Sequence, residues 1–125
     1  MSIFKSCLIA ATLSSAALAG AASAHPQLSD AQYLAAARCQ ALMSSPALGK
    51  VDTAMIDGVL GAQSPFKIPA ITARADGIRA DTARVASHAG YYGKAALIGE
   101  RDGSCAALSH DVMVATTPGS HSTGR

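Results

Sequence analysis

Histidine and cysteine are the side chains in this 125-residue sequence best suited to metal or nucleophilic chemistry, and there are four of the first and three of the second. The histidines, His25, His88, His110 and His121, are far apart, and no pair shows the HxxxH or HExxH spacing that builds a zinc site on one helix face. His25 is the sharper candidate. It follows Ala22-Ser23-Ala24, a small-x-small signal-peptidase site, and cleavage there leaves a free amine and an imidazole on one terminal residue. That pair suits Cu(II), which favours nitrogen donors in a tetragonal arrangement; Pro26 removes the next amide nitrogen as a ligand. His25 is therefore the one candidate metal ligand. His88, flanking a helical seam, is expected to be solvated or partly packed.

The cysteines reduce to a pair. Cys7 lies in the first segment, where Lys5 supplies a positive start, Cys7 to Ala19 is apolar and uncharged, and the small residues follow. Thr12, Ser14, Ser15 and Gly20 dilute the run too much for a membrane anchor. Removal of residues 1–24 sends the rest to an oxidising compartment, periplasmic or secreted, with Cys39 and Cys105 as the single possible disulfide. No CxxC motif or nearby His suggests a catalytic or metal-binding use for either thiol.

Other chemistry finds no pattern. There is no G-x-S-x-G, no Gly-rich phosphate loop, and no cofactor motif. Asp52 and Asp57, like Asp76 and Asp81, are five apart and point to different helix faces. Asp111 adjoins His110, but sequence neighbours do not face each other on a helix. Tyr91 and Tyr92 read as packing residues. No catalytic residue is assigned.

The elements that must position these residues read as helices. Residues 25–125 carry nine Lys and Arg against eight Asp and Glu, a balance giving no electrostatic reason to bind nucleic acid, and no remaining run is long enough to span a membrane. They hold 20 Ala but only 21 Leu, Ile, Val, Met and Phe, which favours closely packed helices around a sparse core. Ser29 and Gln32 have capping-box spacing, with Leu28 and Tyr33 at the staple positions. The helix they start places Ala31, Ala35, Cys39 and Leu42 on a buried stripe and ends at Ser44-Ser45-Pro46. A second helix starts at Pro46 with Ser45 as its cap. Its apolar positions are Leu48, Val51, Met55, Gly58 or Val59, and Ala62, and three glycines weaken it.

After a linker over Ser64 to Pro69, Ile71, Ile78, Val85 and Tyr92 recur every seven residues, each followed four later by Ala75, Thr82, Ala89 and Ala96. Asp76–Arg79 and Asp81–Arg84 sit at i,i+3 on its outer faces. Gly90-Tyr91-Tyr92-Gly93 interrupts or ends this helix. Glu100 to Ser104 reads as a turn, with Ser104 capping a last helix from Cys105 to Val112; 112–117 carries an alternative strand signal.

The expected fold is all-α, a small bundle of three to five helices with one disulfide after a cleaved signal peptide. Residues 1–24 are the signal, 25–117 the helical domain and 118–125 a disordered tail. The functional expectation is an exported, non-enzymatic protein acting through contact with another protein, such as an envelope-stress accessory. The alternative is a copper-binding protein that uses His25.

Overall fold

The structure, a computed structural model, describes residues 27–116. The signal segment, His25, His121 and the tail 118–125 lie outside the described residues. Five α-helices follow in order: α1 Asp30–Ser44, α2 Ala54–Gln63, α3 Pro69–His88, α4 Tyr91–Glu100 and α5 Ala106–Thr116. No strand occurs among the described residues, so the strand signal at 112–117 yields to helix through Thr116.

α1 begins where the caps require. The Gln32 backbone N–H donates to Ser29 Oγ at 3.1 Å, and the Ser29 N–H donates to Gln32 Oε1 at 2.9 Å, which satisfies two donors that the first turn leaves orphaned. Leu28 and Tyr33, the staple pair, are both buried. The approach to the helix is also clamped from outside. Leu28 donates its N–H to Gln63 Oε1 at 2.9 Å, and its carbonyl accepts from Lys67 Nζ, whose ammonium also lies 5.8 Å from the Tyr33 ring centroid.

α1 is the central element, packed against α2, α3 and α5. Its buried residues are Tyr33, Ala36, Ala37, Cys39, Ala41 and Leu42, which spread around much of its circumference. Cys39 and Leu42 lie inside as their spacing predicts, whereas Ala31 and Ala35 are exposed. The larger Tyr33 and Leu42 and the α3 neighbour fix the helix rotation, and Ala, having little area to bury, does not resist.

The second segment does not run as one helix. Pro46–Leu48 forms a single 3₁₀ turn, Gly49 takes φ 78°, and the chain re-enters helix only at Ala54, whose N–H donates to Asp52 Oδ1 at 2.9 Å. A residue with a side chain is disfavoured at that φ, which makes glycine the natural choice at position 49. The break resets the helical phase. Ile56, Leu60 and Gln63 are buried, while Val51, Met55 and Ala62 stay exposed. Ser45 precedes the turn without lending its hydroxyl as a cap.

α3 starts at Pro69 and runs 20 residues, about 30 Å at 1.5 Å per residue. It packs mainly on α1, and it does so through the small half of the seven-residue pattern: Ala75 and Thr82, joined by Ala86, are buried. Ile71 and Ile78 are half-buried and Val85 is exposed. Alanines on both helices permit a close approach, and the larger seam residues are left at the margin of that contact. The seam also stops early, because Ala89 and Gly90 are extended and α4 starts a new direction. Tyr92 and Ala96 therefore belong to another helix, and both are exposed.

The turn expected over Glu100 to Ser104 is instead a π-helical stretch, Arg101–Cys105, that joins α4 to α5 without a break. Ser104 caps nothing there. Two tertiary anchors override the turn chemistry of Asp102-Gly103-Ser104. The Arg101 guanidinium donates to the carbonyls of Leu48 and Gly49 at 2.8 and 2.7 Å, and Cys105 is bonded to Cys39 with a Cα–Cα distance of 5.4 Å. The disulfide lies inside the core with Leu28, Leu42, Leu48, Ile56, Leu60 and Val112.

Candidate functional site

Two polar groupings lie where α1 meets its neighbours. The first is a cleft of about 760 Å³ lined by residues of α1, the Pro46 turn, α2 and α3. Arg79 donates its Nε–H to Gln40 Oε1 at 2.6 Å and an Nη1–H to Asp76 at 2.7 Å. Gln40 passes the chain on, donating to Asp57 Oδ1 at 2.5 Å, and Thr53 donates its hydroxyl to the other oxygen of Asp57 at 2.8 Å. Three helices are thus pinned by one relay, in which Arg79 pairs with Asp76 and the Asp57 carboxylate is held by two neutral donors. Such a network fixes helix register.

The second is the ion pair of Arg38 on α1 with Glu100 at the end of α4. It is bidentate, with Nε–Oε1 at 2.6 Å and Nη2–Oε2 at 2.9 Å, and both side chains are a third to two-fifths exposed. The hydrogen bonds from Arg38 hold the Glu100 carboxyl below its ordinary value of 4.5. The pair's stabilisation is therefore complete above pH 4.5 and is lost as pH falls through the lowered native value of Glu100. Glu100→Gln is expected to cost about 0.5–1 kcal/mol at neutral pH, the range of a partly exposed pair with good geometry. Thermal melts across a pH series check it: wild type and variant separate at neutral pH and converge in acid, and a separation that persists at the acid end refutes the assignment.

Of the residues singled out by sequence, Cys39 and Cys105 come together as the disulfide. His25, the candidate copper ligand, lies outside the described residues. His88 is exposed at the end of α3. His110 Nδ1 stands 3.8 Å from Asp111 Oδ1, so these sequence neighbours do reach each other, because both side chains are about three-quarters exposed and free to turn. Asp76–Arg79 and Asp81–Arg84 form the i,i+3 pairs that their spacing predicts. No group of three or more His, Cys, Asp or Glu able to hold a metal occurs among the described residues. No described helix is long and apolar enough to cross a membrane.

The feature that sequence reasoning misassigned is the tyrosine pair. Tyr91 and Tyr92 are 83% and 86% exposed, with ring centroids 5.3 Å apart and planes at 83°. The Ala89–Gly90 break, which ends α3 ahead of them, turns them out of the seam. Gly90-Tyr91-Tyr92-Gly93 marks the helix end in the sequence, and it is the placing of Tyr92 in the seven-residue pattern that conflicts with it. No known family, curated protein or solved structure matches the chain.

Proposed function

We propose that this is an exported, non-enzymatic helical protein that works by binding another protein, with Tyr91 and Tyr92 as the anchor of the contact. The observation that carries this reading is the exposed edge-to-face tyrosine pair at the α3–α4 corner. Tyrosine is enriched among the residues that dominate protein interfaces, because it combines a large apolar face with a polar tip and loses little conformational entropy on binding. Two such rings already packed on each other lose less still. The helical bundle, tied by one long-range disulfide, is a stable platform for them and suits an oxidising compartment. Export is supported by the leader pattern of residues 1–24 and the Ala22-Ser23-Ala24 site.

The test is comparative capture from envelope extract, using protein recovered outside the cytoplasm and sequenced to start at His25. Wild type is expected to retain a defined partner that a Tyr91→Ser, Tyr92→Ser double variant releases, with about tenfold or greater loss in affinity for two aromatic anchors. Both side chains are exposed, so the variant keeps its fold, which a matching thermal melt confirms. Equal retention by both proteins overturns the reading.

A further inference from the structure

Apart from Met1, the chain has three methionines, and all three line one cleft. Met43 comes from α1, Met55 from α2 and Met113 from α5, and the cleft of about 490 Å³ that they share also receives His110. His110 and Met113 are three apart on α5, which puts them on one helix face. Methionines scattered through a sequence serve commonly as pliable core filler, yet here Met55 and Met113 are 39% and 44% exposed.

We propose that this cleft binds a soft monovalent cation, Cu(I) or its surrogate Ag(I), through the thioethers of Met43, Met55 and Met113 with the His110 imidazole as a nitrogen donor. Thioether sulfur is neutral and polarisable; it selects soft ions and offers nothing to Ca²⁺ or Mg²⁺. The carboxylate in the cleft wall is already engaged. Asp102, in the same wall, accepts from Arg101 at 2.7 and 3.2 Å, and Arg101 spends its remaining donors on Leu48 and Gly49. The charges of Arg101 and Asp102 offset each other, and Asp111 Oδ1 stands 3.8 Å from His110 Nδ1. The cleft wall also holds Ser109, whose Oγ is buried with no hydrogen-bond partner, a defect that a bound ion's water removes. None of its four donors is Tyr91, Tyr92 or His25, and neither reading depends on the other.

The test is a titration of Ag(I) into protein labelled with ¹³C at the methionine methyls, followed by competition for Cu(I) against bicinchoninate. The Met43, Met55 and Met113 methyls are expected to shift together and saturate at one equivalent. Met55→Leu and Met113→Leu, which keep the apolar volume at half-open positions, are each expected to weaken binding at least about tenfold, since even changes outside the ligand shell cost that much. The triple Met→Leu variant is expected to abolish it, and His25→Ala to leave it unchanged. Methyls that stay in place while Ag(I) binds, full affinity in the Leu variants, or loss of binding in His25→Ala each overturn the proposal.

Discussion

Replacing Cys39 and Cys105 together by Ala is expected to lower the stability of the fold by about 4 kcal/mol, the loop-entropy value for a cross-link of this span. For a domain of this size that loss corresponds to a fall in melting temperature of roughly 15–30 °C. The position of the bond is what makes its removal costly. It joins the middle of the central helix to the π-helical stretch that carries the chain from α4 into α5, so without it the last third of the protein is held by fewer restraints. The core offers little in reserve: besides the two sulfurs its large members are Leu28, Tyr33, Leu42, Leu48, Ile56, Leu60 and Val112, and the rest are alanines. Alanine at both positions avoids burying hydroxyls, because Cys39 and Cys105 are 6% and 1% exposed. Circular dichroism melts of the variant, set beside wild type with and without reductant, check the result. A variant melting within a few degrees of the oxidised protein refutes a stabilising role, and unreacted thiols at both positions in the exported protein refute the bond.

What the sequence disclosed and what it hid divide along a physical line. Local chemistry was legible. The Ser29–Gln32 box, the Leu28–Tyr33 staple, the stop at Ser45-Pro46 and the outer pairs of α3 depend on residues within a turn or two of each other, and the structure places each where spacing predicts. The disulfide was legible by elimination. The rotation of helices was not, because residues 25–125, with their 20 alanines, present several faces of nearly equal apolarity, and burying a methyl group decides little. Thus α1 turns Ala36 and Ala37 inward in place of Ala35, and α2 shifts its stripe once Gly49 breaks the phase. Long-range partners were hidden as well. Arg38 with Glu100, Arg79 with Gln40, Gln40 with Asp57, and the three methionines of the cleft come from distant parts of the chain, and nothing in their local sequence advertises the meeting. Arg101 shows the same limit in reverse. Its bonds to two distant carbonyls hold helical a stretch whose own residues favour a turn.

Leu42→Ala is expected to cost about 3 kcal/mol, within the range for buried leucines, because the side chain is wholly buried in the last turn of α1 and its loss opens a cavity. The surrounding helices have limited freedom to collapse into that space. α1 is held to α3 through Arg79 and Gln40, to α4 through Arg38 and Glu100, and to the π-helical stretch by the disulfide, so its neighbours are pinned on several sides. A matched pair of insertions probes the same helix from the opposite direction. Ala36 is wholly buried among the helices that pack on α1, whereas Ala35 is exposed one residue earlier. Ala36→Leu is therefore expected to overpack the core, costing about 1–3 kcal/mol, while Ala35→Leu stays within about 0.5 kcal/mol of wild type. Leucine is nearly as good a helix former as alanine, so helix propensity cancels between the two variants and the difference reports burial alone. Urea unfolding of all three proteins measures it. If Ala35→Leu proved the more damaging insertion, α1 would be rotated to the face that simple three-and-four spacing suggests, and the central helix of the fold would have to be turned by one residue.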